Sequence, residues 1–290
     1  MKVSGFTFIR NAIKFDYPVV EAIRSILPLC DEVIVAVGNS EDATLSLIQS
    51  IDDPKIKIIE TQWDDSLRKG GRVLALETNK ALAAVSSESD WCFYIQADEV
   101  IHEKYHSGIR QALELFKNDA RVEGFLFKYL HFYGSYDYVG SSRKWYKNEI
   151  RIIRNNIPVE SYRDAQGFRK KDNTKLRVKV LDAFVYHYGW VKPPEAQQAK
   201  QLSFHKMWHD EQWMQKNIPD VAAFDYSQID SLSEFSDTHP KVMQERIKAR
   251  NWRFSFNPAE KKWGLKMRIL MYIERTTGWR VGEYKNYHII

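Results

Sequence analysis

A short apolar run that ends in acidic residues is the feature that most constrains the fold of this chain. The run at 91–95 reads Trp-Cys-Phe-Tyr-Ile, and Gln96, Asp98 and Glu99 follow it. Apolar, aromatic runs of this length are typical of strands buried on both faces of a parallel sheet. In open α/β sheets ligands bind outside the carboxyl ends of the strands, so these polar residues stand where a ligand would be met. The alternative is that Asp98 and Glu99 only open the next helix, because acidic residues favour a helix N-terminus.

Three earlier apolar runs, at 3–9, 32–37 and 56–59, also have the composition of buried strands. Each run is followed by a segment in which apolar residues recur at helical spacing. We expect Asp16 to cap the first of these helices, which begins near Pro18, because Asp accepts hydrogen bonds from free backbone N–H groups and Pro is tolerated in a first turn. Strands that alternate with helices in this way predict right-handed parallel crossovers, and therefore an α/β fold with a doubly wound, mostly parallel sheet.

The pattern changes in the second half of the chain. Strand-like runs rich in aromatic and β-branched residues occupy 124–133 and 149–154. A Pro-Pro pair at 193–194 stops the preceding element and opens a helix that we expect to reach residue 217. We therefore predict an α/β domain over 1–192 and a mainly helical C-terminal extension over 193–290.

The composition favours a protein of a reducing compartment. The N-terminus shows no apolar segment followed by a cleavage site, and no run approaches the roughly 18 apolar residues of a membrane span. Cys30 and Cys92 belong to no CxxC pair or Cys/His cluster. We therefore expect a cytoplasmic protein whose thiols are structural.

Polar residues gather at the predicted carboxyl edge of the sheet. Cations there suit a polyanionic small molecule, and a carboxylate such as Asp98 suits Mg2+ or Mn2+ bridging to a diphosphate. Neither G-x-G-x-x-G after the first strand nor G-x-x-x-x-G-K-[ST] is present, which removes the main support for a dinucleotide dehydrogenase or a P-loop protein. The candidate ligand-binding residues are Arg10, Asn11, Asn39, Asp42, Arg68, Lys69, Gln96 and Asp98.

The order of these segments resembles that of family 2 glycosyltransferases with the GT-A fold. The resemblance covers about residues 1–190 and rests on segments that come in the family's order. They are Phe-Ile-Arg-Asn at 8–11, Asn-Ser-Glu-Asp-Ala-Thr at 39–44 (the family's G-S-T-D-G-T turn), Gln-Ala-Asp at 96–98 (its D-x-D metal motif) and Tyr-His-Tyr-Gly at 186–189 (its late histidine segment). Gln96 replaces the first Asp of D-x-D, and Gly38 stands where a base-contacting Asp is common.

The resemblance implies a hexosyltransferase-like enzyme that moves a sugar from a nucleotide-diphosphate sugar to a hydroxyl of a glycan or lipid-linked acceptor, with inversion. The first domain would then be GT-A-like, with a Rossmann-like nucleotide-sugar half and an acceptor half. A divalent cation, Mn2+ or Mg2+, would rest on Asp98 and His187 and on the donor diphosphate. For His187 the alternative is a core histidine between two tyrosines. Arg10, Arg68 and Lys69 would assist the leaving group.

Inverting transfer needs a base that takes the proton of the acceptor hydroxyl. Carboxylates of the later loops and strands are the candidates: Asp164, Glu160 and Glu149. Asp164 is the first choice, because its loop contains Ala165, Gly167 and neighbouring cations and lets a carboxylate face a cleft. The alternative for Asp164 is an aspartate in a surface turn.

Two other functions are compatible with parts of the chain. Gln96 in the metal motif allows a catalytically inactive protein of the same fold that binds nucleotide sugars or glycans. The tail over 241–280, with eleven Lys and Arg against three Glu, allows a nucleic-acid surface. No nucleic-acid-binding motif accompanies it and the net charge is only +5, so we expect no nucleic-acid partner.

The segment 261–275 combines basic and apolar residues as an interfacial helix does. It predicts peripheral contact with an anionic membrane at the inner face of the plasma membrane, where lipid-linked acceptors of bacterial surface-polysaccharide assembly are found. The alternative is a helix packed on the first domain with its charges in solvent.

Overall fold

The strand predicted at 3–9 forms as expected and begins the sheet that most later strands join. The computed structural model describes residues 1–67, 70–218 and 221–290. The strands are β1 (Val3–Ile9), β2 (Glu32–Gly38), β3 (Ile56–Thr61), β4 (Trp91–Tyr94), β5 (Glu99–Ile101), β6 (Gly124–Tyr133), β7 (Tyr138–Gly140), β8 (Asn148–Arg154), β9 (Val159–Tyr162), β10 (Gly167–Lys170), β11 (Leu176–Trp190), β12 (Leu232–Glu234) and β13 (Tyr287–Ile289). The α-helices are α1 (Val19–Ile26), α2 (Thr44–Gln49), α3 (Arg72–Ala83), α4 (His106–Leu115), α5 (Pro194–Lys206), α6 (Glu211–Asn217), α7 (Gln244–Lys248) and α8 (Leu265–Thr277).

The first four strands run parallel and lie in the order β3-β2-β1-β4. A helix follows each of the first three strands in the chain, as a parallel crossover requires. β1, β2 and β4 are buried along almost their whole length, which explains their continuous apolar sequences. The predicted α/β fold with a doubly wound, mostly parallel sheet is confirmed, and the carboxyl ends of these strands share one edge.

Antiparallel strands extend the sheet beyond β4. β8 pairs antiparallel with β4, and β6 pairs antiparallel with β8. β11 runs parallel to β6 and also pairs antiparallel with β5, where His187 lies opposite Glu99. Because β5 follows Asp98 directly, this pairing brings the late part of β11 to the loop after β4.

The core occupies both faces of the sheet, because alternate residues of a strand point to opposite sides. Val33 and Val35 of β2 join one apolar cluster, which includes buried residues of α1. Ile34 and Ala36 join the other cluster, which includes Ala81 of α3. Helices on both faces therefore fix the strands whose carboxyl ends form the site.

Residues after 193 contribute strands as well as helices. β12 pairs with β7, and β13 pairs with the first residues of β11. α8 is held by Glu274, whose carboxylate accepts a hydrogen bond from Arg143 at 2.5 Å and forms ion pairs with Lys147 and Arg280.

None of the helices in the described part of the chain is long and apolar enough to cross a membrane. The division between 1–192 and 193–290 stays a prediction.

Two expectations about helix ends are wrong. Asp16 does not cap α1, because its backbone has a φ of 48° and its carboxylate accepts a hydrogen bond from Arg246 at 2.6 Å. Pro18 occupies the N-cap position of α1 and no side chain caps the helix there. The helix expected over 194–217 is divided into α5 and α6, because Asp210 caps α6 by accepting a backbone N–H three residues later.

Candidate functional site

A cavity of about 1120 Å3 opens at the carboxyl ends of β1 and β4. Ligand pockets commonly measure about 300–1,000 Å3, so this volume is sufficient for a ligand of several rings. Its walls come from the loops after these strands, from β8, β11 and α5, and from the segment after α8. The candidate residues that line the cavity are Arg10, Asn11, Gln96, Asp98, Glu149, Asp164 and His187.

Asp98 lies in the loop between β4 and β5, and its carboxylate is paired with a lysine of α5. Nζ of Lys200 donates to Oδ2 of Asp98 at 3.1 Å and to the carbonyl oxygen of Gly189 at 2.9 Å. Burial by itself would raise the pKa of Asp98, but the ammonium of Lys200, which also donates a hydrogen bond to Asp98, holds that pKa well below its ordinary value. The carboxylate is therefore ionised and already balanced by one cation.

His187 is oriented by a second histidine. Nε2 of His131 lies 2.8 Å from the carbonyl oxygen of Tyr146, which can only accept, so Nε2 of His131 carries the proton. Burial lowers the pKa of His131 to about 3, so this ring is neutral and its Nδ1 accepts. Nδ1 of His187 therefore donates across the 3.2 Å that separates the two Nδ1 atoms. Burial also lowers the pKa of His187, and its Nε2 keeps a lone pair 3.8 Å from Oδ1 of Asp98.

Gly189 allows Asp98 and His187 to approach each other. A Cβ atom at position 189 would lie 2.7 Å from Oδ2 of Asp98 and 2.8 Å from Nε2 of His187. Both distances are too short for real Cβ contacts, so a side chain here would displace both functional groups. The requirement for glycine arises from this close approach, since the backbone at 189 does not have a positive φ.

Arg10 and Asn11 line the cavity at the end of β1, whereas Asn39 and Asp42 organise the neighbouring turn. Nε of Arg10 donates to the carbonyl oxygen of Asn39 at 3.0 Å, and its guanidinium pairs with Asp65. Oδ1 of Asn11 and Oδ1 of Asn39 accept backbone N–H groups at 2.7 and 3.0 Å. Asp42 accepts the backbone N–H at the start of α2 at 2.9 Å. Asn39 and Asp42 thus shape the turn without lining the cavity.

Gln96 lines the cavity, but its amide is tied to the loop that carries Asp164. Nε2 of Gln96 donates to the carbonyl oxygen of Ala165 at 3.1 Å. This hydrogen bond connects the loop after β4 to the loop between β9 and β10. Arg68 and Lys69, which are predicted to assist the leaving group, lie outside the described residues.

Glu99 is fully buried and, unlike its neighbour Asp98, does not line the cavity. Arg151 of β8 donates to both carboxylate oxygens of Glu99, at 2.7 and 2.8 Å. The hydroxyl of Tyr129 donates to the same carboxylate at 2.7 Å. A bidentate pair with this additional hydrogen bond satisfies the buried charge, so Glu99 serves the scaffold beneath the site.

Glu149 and Asp164 line the cavity, whereas Glu160 lies exposed on β9. Burial raises the pKa of Glu149 to about 8, Arg151 opposes that rise, and the charges of Glu99 and Asp164 add to it. Oε2 of Glu149 is buried and has no hydrogen-bond partner among the described residues. Burial also raises the pKa of Asp164. The raised pKa of Glu149 therefore lies in the range in which a carboxyl group can exchange a proton with a bound ligand.

The cavity also contains residues that the sequence did not single out. Lys200 lies on α5, beyond the predicted domain boundary, and nothing in the local sequence distinguishes it from Lys206. Trp145, Tyr146 and Trp190 supply aromatic surface to the same cavity. The aromatic content of 13% is the only sequence signal for these rings, and a well-filled core would give the same signal.

The donor atoms around Asp98 fit a divalent cation poorly. Mg2+ and Mn2+ favour oxygen ligands, and carboxylates above all. Here Asp98 is neutralised by Lys200, Gln96 carries no charge and His187 is neutral, so the set has no net negative charge. Within residues 1–67, 70–218 and 221–290, no group of three or more His, Cys, Asp or Glu side chains could hold a metal ion. The metal site on Asp98 and His187 stays a prediction.

Comparison with known proteins finds similar solved structures at low sequence identity. No protein-family model matches the chain, and no curated protein matches it. S. aureus TarS is 15% identical, with 70% of this chain and 39% of that chain covered and a TM-score of 0.39. S. aureus TarS 1-349 in complex with UDP is also 15% identical; the match covers 70% of this chain and 64% of that chain, with a TM-score of 0.39. Mycobacterium tuberculosis glucosyl-3-phosphoglycerate synthase in complex with Mn2+, UDP and glucosyl-3-phosphoglycerate is 20% identical; the match covers 46% of this chain and 44% of that chain, with a TM-score of 0.29. The chain thus spans less than two thirds of the length of both TarS structures, and similarity at this level assigns no activity.

Proposed function

We propose that this chain is an inverting, hexosyltransferase-like glycosyltransferase that uses a nucleotide-diphosphate sugar as donor. The observation that carries the proposal is that one cavity contains both the cations Arg10 and Lys200 and the carboxyl groups of Glu149 and Asp164. Glycosyl transfer needs both kinds of group, because cations stabilise the charge on the departing diphosphate and a carboxylate takes the proton of the acceptor.

The proposed reaction is a single displacement at the anomeric carbon. The ionised carboxylate of the base accepts the proton of the acceptor hydroxyl while the hydroxyl oxygen bonds to the anomeric carbon. The bond between that carbon and the diphosphate oxygen breaks, and the nucleoside diphosphate leaves with the electron pair. Attack from the side opposite the leaving group inverts the configuration of the sugar.

Glu149 is the base in this proposal, and Asp164, the residue favoured by the sequence, lies near enough to influence it. A general base works best when its pKa is close to the working pH, and the pKa of Glu149 is about 8. Its unpartnered Oε2 has no internal hydrogen bond to break before it accepts a proton. Glu149 also lies on a strand that is hydrogen-bonded within the sheet, which positions a catalytic group better than a loop does.

The acceptor in this proposal is a hydroxyl of a glycan or of a lipid-linked glycan at an anionic membrane surface. α8 exposes Leu265, Ile269 and Tyr272, with 76%, 52% and 70% of their surface accessible. These positions form one stripe along a helix, and the exposed residues Lys266 and Arg268 flank the stripe on either side. An apolar stripe with basic flanks is the pattern of a helix that lies on anionic lipid.

Hydrogen bonds connect α8 to the cavity. Nη2 of Arg280, just after α8, donates to the carbonyl oxygens of Arg143 and Trp145 at 2.8 and 2.6 Å. Glu274 of α8 pairs with Arg143, and Trp145 lines the cavity. The helix that carries the exposed stripe is therefore attached to a wall of the cavity.

The experiment that tests the proposed activity measures release of nucleoside diphosphate from uridine, guanosine and cytidine diphosphate sugars, with glycan acceptors and with water alone. We expect one class of donor to be consumed. Glu149→Gln should lower turnover by about 10²–10⁴-fold with donor affinity nearly unchanged, which is the usual contribution of a general base. Glu160→Gln is the matched control, because it removes an exposed carboxylate outside the cavity.

Other outcomes would change the proposal in defined ways. If Asp164→Asn carries the loss of turnover and Glu149→Gln does not, Asp164 is the base. If the protein binds a nucleotide sugar but releases no diphosphate with any acceptor, it is a binding protein of the same fold and the transferase proposal fails.

A further inference from the structure

The ammonium of Lys200 is paired with an oxygen of Asp98, the carboxylate that is predicted to bind a metal. The two side chains come from different parts of the chain, and their charged atoms lie 3.1 Å apart. Only 14% of the Lys200 side chain and 12% of the Asp98 side chain are accessible, so water screens this pair little. Both residues line the cavity, which places the ammonium next to any ligand that fills it.

The charge around Asp98 suits a resident ammonium better than a divalent ion. Gln96 brings no charge, so Asp98 carries the one negative charge of the 96–98 segment, and Lys200 balances it. The fully buried side chain of Lys192 changes this balance little, because burial lowers its pKa well below the ordinary value for lysine. A divalent ion would enter a site with no attractive net charge, at a cost that a negatively charged ligand would have to offset.

Lys200 retains a donor that a ligand can use. An ammonium has three N–H groups, and two of them are directed at Asp98 and at the carbonyl oxygen of Gly189. The ring of Tyr17 lies 4.9 Å from the ammonium, and the third N–H can turn toward a ligand in the cavity. A phosphate oxygen can accept that N–H in a charge-assisted hydrogen bond, which is a strong class of hydrogen bond.

We propose that Lys200 takes the place of the divalent metal: its ammonium, held by Asp98 and Gly189, binds the donor diphosphate and stabilises the charge on the leaving group. This inference rests on the proposed transferase function and specifies how the donor is bound. It requires that nucleoside diphosphates bind, and that transfer proceeds, without added metal.

The test measures binding of uridine, guanosine and cytidine diphosphates by calorimetry, with chelator-treated protein and again with Mn2+. We expect one nucleotide to bind the wild-type protein with similar affinity in both conditions. Lys200→Met should weaken that binding at least tenfold in both, and Lys200→Arg should retain part of it because the charge is kept. Lys216→Met is the matched control, because Lys216 is exposed on α6 and does not line the cavity.

A second variant separates loss of nucleotide binding from loss of stability. Lys200→Met leaves Asp98 buried without its partner, which destabilises a protein. The double variant Asp98→Asn/Lys200→Met removes both charges, so it should fold with wild-type thermal stability and still bind the nucleotide weakly.

Two results would overturn the inference and separate it from the proposed function. If the wild-type protein binds nucleoside diphosphate only with Mn2+, or if the double variant binds as tightly as wild type, Lys200 does not replace the metal and the transferase proposal survives. If no nucleoside diphosphate or nucleotide sugar binds in either condition, the proposed function fails and the inference fails with it.

Discussion

Nε2 of His187 lies 3.8 Å from Oδ1 of Asp98, and the two groups can meet there because position 189 carries no side chain. His187 and Gly189 belong to β11, whereas Asp98 follows β4, so the sheet brings these residues together. The pairing of β11 with β5 fixes this arrangement, since it holds His187 opposite the residue after Asp98. The arrangement is therefore sensitive to small changes in the backbone of β11.

Gly189→Ala should weaken nucleoside diphosphate binding by about tenfold, equivalent to about 1.4 kcal/mol, while the fold is retained. The new methyl group would displace the side-chain ends of Asp98 and His187, which can move without unfolding the sheet. Calorimetry measures the affinity and circular dichroism measures the fold. Gly108→Ala is the control, because a Cβ at 108 would contact nothing within 4 Å. Equal affinities for wild type and Gly189→Ala would show that the close approach is unimportant for binding.

The rate of transfer should rise with pH and level off above about pH 8. Glu149 must be ionised to accept a proton, and burial raises its pKa to about 8. The ionised fraction, and with it the rate at saturating donor, should increase roughly tenfold for each pH unit below that value. A rate that is independent of pH between 6 and 8 would remove Glu149 as the base.

The raised pKa of Glu149 also predicts that the stability of the fold depends on pH, which can be measured without an activity assay. The folded protein holds the Glu149 proton up to about pH 8, whereas an unfolded chain loses it near the ordinary pKa of 4.5. The stability contributed by the raised pKa is therefore complete below pH 4.5 and is lost as the pH rises toward 8. Glu149→Gln, which cannot ionise, should become more stable relative to wild type between pH 5 and 8.5. Thermal melts at both pH values check this, and a constant difference would contradict the raised pKa.

Arg151→Met should destabilise the fold strongly. It would leave Glu99 as a fully buried carboxylate without its cation, and breaking such a pair typically costs about 3–5 kcal/mol. Denaturant unfolding measures the loss. The double variant Glu99→Gln/Arg151→Met should recover most of that stability, since neither charge remains. A single variant with wild-type stability would show that the pair contributes little.

α8 should bind the protein to vesicles that contain anionic lipid at low salt, and binding should weaken at moderate salt. Each basic residue near such a surface contributes about 1 kcal/mol, so Lys266→Glu/Arg268→Glu should reduce binding by well over tenfold. Leu265→Ser should also reduce it, whereas Leu115→Ser is the control, because Leu115 is a similarly exposed leucine at the end of α4. Co-sedimentation gives the bound fraction. Equal binding to neutral vesicles, or self-association without vesicles, would argue against an anionic membrane as the partner of α8.

The sequence by itself determined the strands and helices of the parallel half. β1, β2 and β4 are continuous apolar runs because both faces of each strand are covered, and such runs are recognisable without tertiary information. The same reasoning located Arg10, Asn11, Gln96 and Asp98, because residues just after parallel strands must meet at one edge of the sheet.

Only the tertiary structure decided what surrounds those residues. Lys200 lies 102 positions from Asp98 in the chain, and α5 carries no local pattern that marks it as a partner. Asp98 and Glu99 also cannot be told apart from the sequence, although Asp98 lines the cavity and Glu99 is paired with Arg151 in the core. The physical reason is that charge pairing and burial depend on distances across the fold, whereas residue type and spacing report only on neighbours along the chain.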